Sequence, residues 1–226
     1  MTWMRGSRRW PALAAATVAA LVATTTATAA GDSFTVRTTP EGIAAALSVA
    51  PAKSDLGKPA SWTGGFVTVK PATDAYCANY RPRYSDLVVT GLVTTQFIGH
   101  GLYVRSQSKT LQTKEMVRLH WQRTVRSPHW LACSVATYKR TQSAKSHFVS
   151  FRRLAIPRIA PYGSAFRVIS DVTTTTGKVR VALDTLEIAR GRTEITLTAS
   201  APLALAPGLL PSEIALAKVL ISRARA

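Results

Sequence analysis

Residues 165 to 200, AFRVISDVTTTTGKVRVALDTLEIARGRTEITLTAS, constrain the fold more than any other part of the chain. Three segments of β-type composition are separated by two short turns, TTTTGK and ARGR. Connections so short join neighbouring antiparallel strands, so these segments predict a meander. In the middle strand Val179, Val181 and Leu183 share one parity while Leu186 and Ile188 share the other. A β-bulge at Asp184-Thr185 would restore the inward phase. From Arg192 onward the alternation is clean, with Ile195 and Leu197 opposed to Glu194, Thr196 and Thr198.

HFVSFRRLAIP, before the meander, has the same β character, and DLVVTGLVTTQFIG followed by GHG and LYVRSQSKTL predicts a separate antiparallel hairpin. Helices are expected at four places. Thr39-Pro40-Glu41 supplies an N-cap, a first-turn proline and a first-turn acid, with Ile43 and Leu47 on one face and Pro51 as a stop. TKEMVRLHWQRTVR is amphipathic, with Lys114, Arg118 and Gln122 opposed to Met116, Val117, His120, Trp121 and Thr124. Ser127-Pro128 opens a third helix carrying HWLACSVATYK, whose apolar stripe is Leu131, Val135 and Tyr138 with Cys133 nearly opposite. The last helix runs from Ser212 to about Arg223. Residues 57–76 read as irregular, with Trp62 as an apolar plug and Phe66, Val67 and Val69 as a short strand. Helices at the start, middle and end around one antiparallel sheet make an α+β domain with a C-terminal helix packed on the sheet.

The first 30 residues carry Arg5, Arg8 and Arg9, then an Ala/Leu/Val run, then Ala27-Thr28-Ala29, the pattern of a secretory signal peptide cleaved near Ala29 or Ala30. An uncleaved N-terminal anchor is the alternative. No cysteine follows the apolar run to accept a lipid, and no second apolar stretch is expected to reach spanning length. Residues 31–226 then form one domain, and loss of the leader lowers the formal charge from +18 to +15. A secreted or cell-wall-associated location follows. In that compartment Cys77 and Cys133, the only cysteines, are expected to pair. Such a bridge contributes about 4 kcal/mol by chain entropy.

HWLACS places His129 four residues before Cys133, which admits a thiol-dependent hydrolase or transferase, but the available partner at Cys77 favours a structural cross-link. His100, His120, His129 and His147 stand without metal-ligand spacing, and neither a metal nor another cofactor is expected. TTTTGKVR lacks the first glycine and the hydroxyl residue of a phosphate loop and reads as a turn. Asp171 and Asp184 lie on adjacent strands and could face one another as paired carboxylates. YCANYRPRY interleaves Tyr76, Tyr80 and Tyr84 with Arg81 and Arg83, a composition that stacks on rings and clamps anions, and is the candidate ligand loop. The basic residues contain no run of five and read mainly as a solvated surface, with adhesion to an anionic envelope polymer as an alternative function.

The stretches SDLGKPASW, YCANYRPRYSDLVVTG, HWLACS, AFRVISDV and VRVALDTLEIARGRTEITLTAS, followed by a C-terminal helix, resemble the exported sensor-like proteins of actinobacteria. These are akin to the extracellular domain of PknH-type receptor kinases and to LpqN-type lipoproteins, with a PsbP-like fold. The resemblance covers about Thr39 to Arg223. It implies a curved antiparallel sheet flanked by helices, a disulfide pinning the central helices, and a groove for an unidentified extracellular small molecule, lipid or envelope polymer. It implies no enzymatic activity. Independently of the resemblance, no nucleic-acid partner, no stable membrane insertion after signal cleavage and a monomer are expected. Two departures stand out: only one disulfide is possible here, against two in the PknH-type domains, and the lipid anchor of the LpqN type is missing.

Overall fold

The computed structural model describes residues 32–68, 77–140, 142–143 and 145–224, so the leader sequence, Val69 and Tyr76 lie outside the described residues. The chain forms an α+β structure. Its sheet comprises β1 (Thr35–Val36), β2 (Thr63–Phe66), β3 (Val88–Gly99), β4 (Leu102–Leu111), β5 (Ser146–Leu154), β6 (Tyr162–Thr174), β7 (Gly177–Arg190) and β8 (Thr193–Pro202). The order across the sheet is β1, β3, β4, β8, β7, β6, β5, and β2 pairs with β3 on the same edge as β1. Pairing is antiparallel except for the two-residue β1, which runs parallel to β3. The hairpin and the meander meet where β4 pairs with β8. Four helices cover the faces: α1 (Pro40–Ser48), α2 (Lys114–Arg123), α3 (Trp130–Arg140) and α4 (Ala206–Ser222).

The predicted turns are in place. His100 and Gly101 both adopt positive φ, 54° and 74°, at the β3–β4 hairpin, where the second position suits glycine and the first is an uncommon conformation for histidine. The side chains of Thr39 and Thr113 cap α1 and α2 by accepting hydrogen bonds from Gly42 and Met116 at 3.0 and 3.1 Å.

One face of the sheet is covered by α1, α4 and the short turns between α1 and β2. Leu209, Leu216 and Leu220 of α4 bury against Ala182, Leu186, Ile188, Ile195 and Leu197. Trp62 plugs the end of this core, and its indole donates to the Leu56 carbonyl at 3.1 Å. α1 approaches β3 so closely that a Cβ on Gly91 would overlap the Gly42 carbonyl, and one on Gly42 would overlap that of Thr90. The small side chains of Thr95, Ser106, Ser108 and Thr110 beneath the helix are all buried.

That close approach corrects the expected orientation of α1. Gly42 and Ala46 face the sheet, whereas Ile43 and Leu47 are exposed. α4 also begins six residues earlier than expected. Pro207 occupies the first turn, where its missing N–H costs nothing, and Pro211 one turn later removes a single backbone bond. With its preceding turn, Leu203–Ser222 is long and apolar enough to cross a membrane by length and composition. The expectation of no second such stretch is therefore wrong, and here the segment forms the helical lid of the core.

The expected bulge at Asp184-Thr185 is absent, since β7 keeps an unbroken register with both β6 and β8. The inward phase never breaks. Asp184 occupies an inward position between Ala182 and Leu186, completely buried, and its carboxylate pairs with Arg167 at 2.5 and 2.6 Å. Val181 and Thr185 are buried on the opposite face, which is also covered, so parity alone misreads the strand. The one irregularity on this side is in β5, where the register shifts between Phe148 and Ser150.

Candidate functional site

The opposite face is closed by α2, α3 and the 77–87 loop. Cys77 and Cys133 form a disulfide with a Cα–Cα distance of 5.7 Å, so neither sulfur remains as a thiol nucleophile beside the exposed His129. Cys133 lies on the buried side of α3 with Trp130 and Ser134, contrary to the wheel drawn from Leu131, Val135 and Tyr138, which are only half-buried. The cause is aromatic packing. Trp130 meets Phe166 edge-on at 5.4 Å, and Phe166 stacks on Phe151 at 5.2 Å, which rotates the helix toward β5 and β6.

The 77–87 loop is bracketed to the end of α2. Cys77 and Tyr80 exchange backbone hydrogen bonds, and the Tyr80 hydroxyl donates to the Arg123 carbonyl at 2.7 Å. Arg123 in turn clamps Asp86 at 2.6 and 2.9 Å and donates to the Arg83 carbonyl at 2.6 Å. That hydrogen-bonded guanidinium holds the Asp86 carboxyl below its ordinary pKa. Of the loop residues singled out in the sequence, Tyr80 and Tyr84 are core side chains, 5% and 4% exposed, and Tyr84 stacks on Phe34 at 5.0 Å. Arg81 and Arg83 reach the surface.

Beside this cluster, β4, β8 and α2 bring together Lys109, Glu194 and His120. The Lys109 ammonium and His120 Nδ1 each lie 2.9 Å from a carboxylate oxygen of Glu194. Lys109 also sits over the Phe34 ring, 4.2 Å from its centroid. Burial by itself would raise the Glu194 pKa, but the adjacent His120 and Lys109 outweigh it and bring it down to about 2. The expected facing pair of Asp171 and Asp184 does not form. They are held at separate register positions, with Asp171 on Arg180 and Asp184 on Arg167.

The bend between α2 and α3 leaves an open cleft of about 470 Å³ against the start of β6. Its walls include Trp121, Arg126, Leu131, Arg153, Tyr162 and Ser164, and among the described residues no carboxylate lines it. Trp121 and Tyr162 lie with ring centroids 5.4 Å apart, and the Arg126 guanidinium covers the Tyr162 ring at 5.2 Å. Arg153 donates to the Val125 carbonyl at 2.9 Å. Neither arginine has a carboxylate partner among the described residues, whereas Arg123, Arg167, Arg180 and Arg223 each have one. A cleft with aromatic and proline walls and two unneutralised guanidiniums can seat a compact ligand bearing negative charge. Sequence reasoning placed Trp121 and Leu131 on helix faces and assigned none of these residues to a site. They come from a helix end, a connection and two strands, and no linear spacing ties them together.

No protein-family model and no curated protein matches the chain. Among solved structures it is similar to LpqN, involved in cell envelope biogenesis of Mycobacterium tuberculosis, at 10% identity over 72% of this chain and 84% of that one, with a TM-score of 0.29. It is also similar to the Saccharomyces cerevisiae Ran-binding protein Mog1p, at 11% identity over 58% of this chain and 86% of that one, with a TM-score of 0.18. Both are distant structural relations, and likeness at this level says nothing about ligand or activity.

Proposed function

We propose that this chain is an exported, non-catalytic ligand-binding protein of the cell envelope, acting as a monomer, with the cleft between α2, α3 and β6 as its site. The observation that carries the reading is the cleft itself: about 470 Å³ of open volume walled by aromatic, proline and arginine side chains. Export is supported by the basic-then-apolar start of the sequence and by the Cys77–Cys133 bridge, which is at home in an oxidising compartment. The disulfide anchors α3, whose first-turn residue Leu131 lines the cleft. A small molecule, a lipid headgroup or a segment of envelope polymer fits this volume better than nucleic acid, because Arg126 and Arg153, which have no carboxylate partner among the described residues, line one cleft and not an extended groove.

The test is native mass spectrometry of the exported protein purified without denaturant, compared with a Ser164→Trp variant that fills the cleft. Wild type is expected to carry a bound molecule that the variant lacks. An equally occupied variant would place the ligand elsewhere, and a bare wild type that binds nothing from an envelope extract would remove the proposal.

A further inference from the structure

We propose that the ligand of this cleft is held through a phosphate group, with Arg126 and Arg153 as its two clamps; the inference rests on the cleft being the ligand site. Each guanidinium is positioned by a contact that leaves most of its donors unused. Arg126 sits over the Tyr162 ring, 5.2 Å from its centroid, and its guanidinium has no ion-pair partner among the described residues. Arg153 spends one nitrogen on the Val125 carbonyl. Both remain exposed, and no acid among the lining residues competes for them.

The start of α3 adds to the same field. Ser127 and Pro128, just ahead of α3, and Leu131 in the first turn of this 11-residue helix line the cleft, and that turn contains no acidic residue, unlike those of α1 and α2 with Glu41 and Glu115. The partial positive charge at the helix end is thus uncompensated from within the helix. Two guanidiniums and a helix terminus match the dianionic charge and the several acceptor oxygens of a phosphate monoester, whereas a single carboxylate would leave one arginine unmatched. Trp121, Pro128, Leu131 and Pro161 then supply the apolar wall for whatever bears the phosphate.

The oxidised protein should be titrated by calorimetry with inorganic phosphate, glycerol phosphate, and phosphatidic acid in phosphatidylcholine vesicles, with plain phosphatidylcholine vesicles as the blank. Saturable binding of at least one phosphate probe is expected, and the strongest arm identifies a free, a headgroup or a lipid source. Arg126→Gln and Arg153→Gln should each weaken it by about tenfold, the scale of one charge-assisted hydrogen bond. A Lys178→Gln/Lys218→Gln control, which removes two exposed charges outside the cleft, should leave it unchanged. If Arg153→Gln melts early by circular dichroism, Arg126→Gln alone decides, since its side chain holds no backbone group. Equal weakening in the control, or no saturable phosphate probe, overturns the inference. A neutral molecule found in wild type and absent from Ser164→Trp overturns the phosphate while keeping the ligand site. A protein that binds neither kind of molecule sinks both.

Discussion

The two faces of the sheet are closed by different physical means. The face under α1 and α4 is sealed by apolar burial and close backbone approach, and its one buried ion pair, Arg167 with Asp184, lies beneath α4. The face under α2 and α3 is stapled by a disulfide, by the Arg123–Asp86 clamp and by the Lys109–Glu194–His120 cluster. Each face contains one buried glutamate, and the pair makes the contrast quantitative. Glu194 has Lys109 and His120 on its carboxylate and has its pKa lowered to about 2. Glu213, on α4, is 2% exposed, and its carboxylate finds no hydrogen bond of normal geometry among the described residues; burial first and the nearby Asp184 second push its pKa well above the ordinary range, against the opposing pull of Arg167. The same residue type is an anchor on one face and a destabilising element on the other. Partners, not burial, make the difference.

The strongest way to break this contrast is Glu194→Gln, which takes the carboxylate from the half-buried Lys109 ammonium and one partner from His120. A loss of about 3 to 5 kcal/mol at pH 7 is expected in urea denaturation. The wild-type pH dependence carries the same information. Because the folded pKa is depressed, the contribution of Glu194, about 3 kcal/mol, is complete above its ordinary value of 4.5 and disappears as pH falls toward 2. A flat stability profile over that acid window in wild type would remove the anchoring role.

Removing the staple comes next. Cys77→Ala/Cys133→Ala is expected to lower stability by about 4 kcal/mol, with the added prediction that hydrogen exchange quickens in α3 and the 77–87 loop far more than in α4. Uniform quickening would mean that the faces are not independently closed. On the other face, Gly42→Ala should cost about 1 to 3 kcal/mol through overpacking against β3, read as a lowered melting temperature. The smallest effect, and the only gain, is expected from Glu213→Gln. A raised folded pKa means that wild-type stability is fully present below pH 4.5 and falls as pH rises, so the variant should match wild type near pH 4 and surpass it progressively at neutral pH. A constant difference across that range would show that Glu213 does not titrate as argued.

The elements that local chemistry specifies were legible in the sequence. The Thr39 cap, the amphipathic helix that begins after Thr113, the His100-Gly101 turn and the meander all depend on neighbouring residues, and each is where its residues predict it. Faces were less legible. Ile43 and Leu47 lost the inner side of α1 to Gly42 and Ala46 because close approach to β3 favours small residues over apolar ones. Leu131 and Val135 lost the inner side of α3 because Trp130 and Cys133 had larger partners waiting on β6 and the 77–87 loop. Asp184 was mistaken for a phase break because its partner, Arg167, is invisible until β6 is laid beside β7. The tyrosines of the loop announced a binding surface by composition, yet Tyr80 and Tyr84 are buried, while the arginines that frame the cleft stand apart at 126 and 153.

By itself the sequence determined what depends on near neighbours: the antiparallel hairpins, the helix starts at Thr39 and Thr113, the basic balance, and the pairing of two cysteines that have no other partner. Only the tertiary structure decided which side of each helix is buried, which groups flank a buried carboxylate, and which distant arginines line one cleft. Those outcomes depend on side chains far apart in the chain meeting across strands, and pairwise energies of several kcal/mol at such meetings override the sub-kcal/mol preferences that a linear pattern expresses.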